Sequence, residues 1–192
     1  MRIGIISDTH GSLSCWQRIV HEVFHGVDII IHAGDIFYHG VRNPLPSGYD
    51  TFGLAQALNH SPAPLLCCRG NCDSDVDQLV VDVPIQAPYL LCQFDNVRLI
   101  VHHGHLFTDQ EILRLASQWK STLCVSGHTH VPRLEQQGNV VFLNPGSSAL
   151  PKEGYAPSVA LIETGSGGTE ITEVSIVDFQ NNKTIKTLSL SC

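Results

Sequence analysis

Short apolar runs alternate with helical patterns through the first two-thirds of the chain, and each run is punctuated by polar residues of a narrow set of types. Ile3 to Ile6 reads as a strand. Trp16, Ile19, Val20, Val23 and Phe24 then recur at helical spacing, with Ser12 or Ser14 as candidate caps and Gly26 as the stop. Val27 to Ile31 reads as a buried strand, and residues 33–50 as a long Gly- and Pro-containing loop of functional length. A helix is predicted over Thr51 to Asn59 and a strand over Pro64 to Cys68. Tyr89 to Phe94 and Val97 to Val101 flank Asp95-Asn96 as a hairpin. Ile112, Leu115, Ala116 and Trp119 mark a further helix with Asp109 as its cap. Strands follow at Thr122 to Val125 and Val140 to Leu143. Beyond Pro151 only strands remain: Val159 to Ile162, Ile171 to Val177 and Thr184 to Leu190. These are separated by Gly165-Ser166-Gly167-Gly168 and Asn181-Asn182-Lys183. The pattern predicts an α/β fold closed by a β meander, with residues 1–192 forming one domain.

Composition narrows the class. The 192 residues include 18 acidic and 11 basic side chains, a formal net charge of −7. That argues against a general nucleic-acid binder, which would carry a basic stripe. No apolar run approaches the length of a membrane span. The opening Met-Arg-Ile-Gly-Ile-Ile-Ser-Asp reads as neither a secretory signal nor a transit peptide, so a cytoplasmic protein is expected. Seven cysteines cannot all pair, and without a Cys-x-x-Cys motif they read as reduced thiols, most of them small core residues. The 11 histidines are the unusual feature.

Their positions carry the chemistry. Six apolar runs lead into the same residue types: Asp8 and His10; His32 and Asp35; Asn71; His102, His103 and His105; His128 and His130; and Asn144. Ligands of open α/β sheets gather at the carboxyl ends of strands, so these residues are expected at one rim. Asp, Asn and neutral His together suit Mn, Fe, Zn, Co or Ni, whereas a Mg or Ca site would be nearly all oxygen. Asp8, His10, Asp35, Asn71, His103, His128 and His130 are too many for one tetrahedral ion. With one shared carboxylate they fit two metals ~3.5–4 Å apart.

Asp8-Thr9-His10, Gly34-Asp35, Gly70-Asn71-Cys72-Asp73, His103-Gly104-His105 and Gly127-His128-Thr129-His130 resemble the five ordered motifs of the calcineurin-like metallophosphoesterases. Within that family the chain is similar to the small YfcE-type phosphodiesterases, through His39-Gly40-Val41-Arg42-Asn43, Pro46-Ser47-Gly48-Tyr49 and Asn144-Pro145-Gly146-Ser147 as well. The resemblance implies a four-layer αββα sandwich of two mixed sheets with a dimetal site where they meet. Asp8, His10, Asp35 and His130 would hold one metal, and Asp35, Asn71, His103 and His128 the other, with Asp35 bridging. A metal-bridging water held by Asp35 and the two metals would attack a small phosphodiester. Manganese is taken first as the metal, with nickel, cobalt, iron or zinc as alternatives.

Cys72 stands where most calcineurin-like enzymes carry a histidine. A neutral thiol supplies no cation, which favours diesters over dianionic monoesters. Asp73 is expected beside it, ready to orient an imidazole. His39, His105 and Arg42 are candidate substrate or proton-transfer groups, and Asn144 a site-lining one. Arg69 would either pair with Asp73 or Asp75 or face the phosphate. His21, His25 and His60 read as surface residues, and His32 and His102 as supports behind ligands. A phosphomonoesterase or nucleotidase, and a non-catalytic interaction scaffold on the same fold, are the rival readings. Ligand completeness counts against the scaffold and Cys72 against the monoesterase. A homo-oligomer is compatible with the sequence.

Overall fold

The computed structural model describes residues 1–165 and 170–190. Ser166, Gly167 and Gly168 of the glycine-rich turn, and Cys192, lie outside the described residues. The described strands are β1 (Arg2–Ile6), β2 (Ile29–His32), β3 (Leu65–Cys68), β4 (Ile85–Gln86), β5 (Leu90–Phe94), β6 (Val97–Val101), β7 (Leu123–Val125), β8 (Arg133–Gln137), β9 (Val140–Asn144), β10 (Ser158–Thr164), β11 (Ile171–Asp178) and β12 (Lys183–Ser189). The helices are α1 (Leu13–Glu22), α2 (Thr51–Asn59) and α3 (Asp109–Trp119). A seven-stranded sheet runs β12-β11-β10-β1-β2-β3-β4, and a five-stranded sheet runs β5-β6-β7-β9-β8. Both are mixed: β1, β2, β3 and β4 pair in parallel, as do β6, β7 and β9, while antiparallel strands extend each sheet.

The near-continuous apolar runs follow from burial on both faces. In β1, Ile3 and Ile5 enter the core between the sheets while Ile6 packs under the helices. In β6, β7 and β9 the odd positions Leu99, Val101, Leu123, Val125, Val141 and Leu143 fill the inter-sheet core. Ile100, Cys124 and Phe142 point the other way, against Ile112 and Ala116 of α3. Trp16, Ile19, Leu54 and Leu58 of α1 and α2 cover the outer face of the first sheet. The outcome is helix, sheet, sheet, helix, as the resemblance implied.

Local signals resolve in favour of particular residues. Ser12 caps α1 by accepting the Cys15 N–H at 3.3 Å, and the hairpin at Asp95-Asn96 pairs β5 with β6. The cap of α3 is Thr108, not Asp109. The Thr108 hydroxyl accepts the Glu111 N–H, and the Glu111 carboxylate accepts the Thr108 N–H at 2.8 Å, a reciprocal capping box. The Asp109 carboxylate is committed elsewhere, to Arg133 at 2.8 and 3.1 Å. The sequence pattern missed β4, which is two residues long, and β8, whose Arg-Leu-Glu-Gln-Gln reads as polar because it lies at a sheet edge. Cys67, Cys68, Cys92 and Cys124 are buried free thiols.

Candidate metal centre

The loops that leave β1, β2, β3, β6 and β7 all turn toward one rim, and they do so through an unusual backbone. Asp8, His10, Asp35, His128 and His130 have φ of 54°, 46°, 55°, 70° and 61°. This left-handed region costs a non-glycine residue about 1–3 kcal/mol and is kept where the surroundings over-determine it. Here the determinants are visible. The backbone N–H groups of Asp8 and His10 donate to the carbonyls of Gly34 and Asp35, both at 3.0 Å, so the first two loops brace each other. Gly70 lets the third loop close on them: a β-carbon there would collide with the backbone and carboxylate of Asp35.

Asp8, His10, Asp35, His103 and His130 are buried together. Each of three imidazoles is oriented by a main-chain acceptor. The Nδ1–H of His10 donates to the Tyr38 carbonyl at 2.7 Å, that of His130 to the Leu150 carbonyl at 2.5 Å, and that of His103 to the Ala33 carbonyl at 2.8 Å. Their Nε2 atoms therefore face inward. Those of His10 and His130 stand 3.2 Å apart. All three converge on Asp8 Oδ1, at 3.3 Å from His130, 3.7 Å from His10 and 3.9 Å from His103. Asp8 Oδ1 and His103 Nε2 are buried without a hydrogen-bond partner.

Asp35 lies between the groups, with Oδ2 at 3.8 Å from His10 and Oδ1 at 3.3 Å from His103. Asp8, His10 and His130 form one group of potential ligand atoms and Asp8, Asp35 and His103 another. Imidazoles locked by carbonyls at Nδ1 with Nε2 turned inward, beside an unpartnered buried carboxylate oxygen, are the donor set that a transition-metal ion requires.

The titration behaviour of the metal-free cluster follows from the same contacts. Burial would raise the Asp35 carboxyl, but the His103 imidazole 3.3 Å away and the Cys72 N–H at 2.8 Å outweigh it and hold it well below the carboxylate range. Burial lowers His10. Burial also opposes charge on His103, yet the adjacent Asp35 and Asp8 carboxylates push it up to about 9. A cation entering there would displace that proton.

The remaining expected residues divide. His128 is half-buried, its ring 5.2 Å from that of His103, and its N–H donates to Asp8 Oδ2 at 3.1 Å. Asn71 is exposed, with its amide donating to Cys72 Sγ at 3.3 Å. Cys72 Sγ lies among the ligand atoms of His10 and Asp35, and burial followed by the Asp35 charge pushes its thiol up to about 12. His105 is exposed, its ring 5.4 Å from that of His103. The His39 ring stacks edge-on against Tyr38 and Tyr49. Arg42 lines a cleft of about 560 Å³ shared with Asp35, Asn71, Cys72 and His128.

One expectation is corrected, and of the two alternatives for Arg69 the structure shows the pairing with Asp75. Asp73 does not stand ready for an imidazole at position 72. Its buried carboxylate accepts the N–H groups of Asp35 at 2.9 Å, Ile36 at 2.7 Å and Gly70 at 2.7 Å, clamping two site loops together. Arg69 does not line the cleft. It donates to the Asp75 carboxylate at 2.8 Å and to the Asp73 carbonyl at 3.1 Å. Asn144 supports the site from behind, its amide donating to the Gly127 carbonyl at 2.7 Å.

Sequence reasoning missed the orienting groups. Ser7 donates to Asp8 Oδ2 at 2.6 Å, Ser147 donates to the Asp8 carbonyl at 2.8 Å, and Lys152 also lines the cleft. The available signals were the adjacency of Ser7 to Asp8 and the place of Ser147 in the Asn144-Pro145-Gly146-Ser147 motif.

Comparison with known proteins agrees with this geometry. The calcineurin-like phosphoesterase superfamily domain matches residues 1–167. The chain is 38% identical over 165 residues to phosphodiesterase YfcE of Escherichia coli strain K12, covering 85% of this chain and 88% of that protein. It is 28% identical over 157 residues to a probable metallophosphoesterase of Methanothermobacter thermautotrophicus, covering 79% and 80%. Among solved structures, the E. coli phosphoesterase YfcE aligns over 100% of both chains with a TM-score of 0.85 at 30% identity. Zinc-complexed Vps29 of Entamoeba histolytica aligns over 98% and 99% with a TM-score of 0.65 at 15% identity, a likeness of fold. Among the described residues no helix is long and apolar enough to cross a membrane.

Proposed function

The chain belongs to the calcineurin-like phosphoesterase superfamily, and from that premise we propose that this phosphoric diester hydrolase works with two divalent metals, manganese first among them. Asp8, His10, Asp35 and His130 would hold one, and Asp35, Asn71, His103 and His128 the other, with Asp35 shared. The supporting observation is the convergence of three carbonyl-locked imidazoles on the unpartnered Asp8 Oδ1. When bound, such metals polarise a phosphoryl oxygen and lower the pKa of the attacking water.

The chain's own residues then do the positioning. Ser7, the His128 N–H and Ser147 fix Asp8. Asp73 holds the Asp35 and Asn71 loops in register. Cys72 lines the phosphoryl side of the cleft without supplying positive charge, which suits a monoanionic diester better than a dianionic monoester. The test is metal content and kcat/KM for matched aryl mono- and diesters after stripping and reloading with manganese. Two metals per chain and a diester preference are expected. A fully active protein holding one metal would overturn the dinuclear reading, and a monoester preference would overturn the substrate assignment.

A further inference from the structure

The cleft beside the histidine cluster carries two cations that the chemistry above does not use. Arg42 and Lys152 both line it, and both are exposed. Four of the other six arginines are tied to carboxylates, Arg2 to Glu163, Arg18 to Glu22, Arg69 to Asp75 and Arg133 to Asp109, and Arg98 is bonded to Gln93 and the Trp119 carbonyl. Among the described residues Arg42 and Lys152 have no such partner, in a chain whose net charge is −7.

Each hangs from backbone bonded to the site itself. Arg42 lies in a turn closed by the Asn43 amide donating to the His39 carbonyl at 2.8 Å. Gly40 of that turn passes over Cys72, where a β-carbon would meet Sγ at 3.3 Å, and the preceding Tyr38 carbonyl receives the His10 ring. On the other wall the Lys152 N–H donates to the His130 carbonyl at 3.3 Å, and Leu150 two residues earlier receives the His130 ring. The two cations are thus presented by segments that also orient His10 and His130.

Charge counting indicates what they meet. Two divalent ions against the Asp8 and Asp35 carboxylates and one attacking hydroxide would leave a formal surplus of about +1, which a single diester anion neutralises without help from Arg42 or Lys152. Two further unpaired cations fit a substrate with additional negative charge. At about 560 Å³ the cleft is large enough for a nucleotide-sized ligand. Resting on the phosphodiesterase reading, we propose that Arg42 and Lys152 form an anion clamp, and that the preferred substrates are phosphodiesters carrying a second phosphate on one arm.

The experiment uses the metal-loaded protein and two chromogenic diesters, thymidine 5′-(p-nitrophenyl phosphate) with and without a 3′-phosphate. Wild type is expected to favour the 3′-phosphorylated ester in kcat/KM by about tenfold. That ratio should fall in Arg42→Gln and in Lys152→Gln, and toward unity in the double variant. Equal kcat/KM for the two esters in active wild type, or a preference that survives in the double variant, overturns the clamp while leaving the diesterase reading intact. Loaded wild type that cleaves neither ester overturns the proposed function and the clamp with it.

Discussion

The two halves of the candidate metal centre are built differently. Asp8, His10 and His130 are buried, and both rings are oriented by carbonyls. In the other half only His103 is treated this way. Asn71 is exposed with its amide on Cys72, and His128 is half-buried with the His103 and His105 rings beside its own. The first half is preassembled by the fold, so a metal there loses little free energy to reorganisation. The second is completed by side chains that must settle as the metal arrives. If the centre binds two metals as proposed, the expected consequence is an ordered pair of affinities, tight and then loose.

The most severe way to break this asymmetry is to remove what the halves share. Asp35→Ala should lower kcat/KM for an aryl diester by about a thousandfold or more while leaving the circular dichroism spectrum intact. A variant within tenfold of wild type would show that Asp35 joins nothing. Next in size is metal titration against a competing chelator. His10→Ala should abolish the tight event, whereas Asn71→Ala should weaken only the loose one, by about 10–100-fold. Loss of the tight event in Asn71→Ala would reverse the order.

A smaller effect is expected from Cys72→His, which places an imidazole against His10 and Asp35. Because Asp73 is committed to three backbone N–H groups, it is not available to orient the new ring. The monoester-to-diester ratio should rise by about tenfold rather than by the ~10²–10⁴ of a tuned general acid. Cys72→Ala should retain diester hydrolysis. An inactive, metal-loaded Cys72→Ala would assign the thiol a chemical role.

The smallest effect is acid sensitivity in the preassembled half. His32 donates from Nε2 to Thr9 Oγ1 at 2.9 Å and accepts the Gly34 N–H on Nδ1 at 3.1 Å, tying the Asp8 loop to the Asp35 loop. The Thr9 hydroxyl is itself spent on the Ile36 carbonyl, which fixes the direction of the first bond. Burial depresses His32 from 6.5 to about 3. A depressed histidine contributes stability that is present above its ordinary value and is lost as pH falls from 6.5 toward 3. Thermal unfolding of the metal-free protein should therefore soften across that window, and His32→Gln should show a shallower decline from a lower starting Tm. Parallel slopes would remove His32 from the acid response.

The legible parts of this molecule are those set by local pattern. The stripe from Trp16 to Phe24 and the run from Thr51 to Asn59 announced their helices, and the polar residue after each buried strand announced the rim. What escaped depends on contacts distant in sequence. Nothing near Asp73 indicates that its oxygens serve the N–H groups of Asp35 and Ile36, 38 and 37 residues away. The choice of Thr108 over Asp109 turned on Arg133, 24 residues further along, drawing the aspartate off. Strand β8 was hidden because an edge strand can be polar along its length. Lys152 stood outside every motif, and it is contacts with His130, 22 residues earlier, that bring its segment to the cleft.

The left-handed turns at Asp8, His10, Asp35, His128 and His130 also restrict the alphabet from which this centre can be re-engineered. Aspartate, asparagine and histidine are among the few side chains that tolerate that backbone, and they are also hard-to-borderline metal donors. Glutamate or cysteine introduced to redirect the centre toward another ion would meet the conformational penalty before any coordination began. A library confined to Asp, Asn and His at these five positions should therefore yield more folded variants than one drawn from all ligating residues.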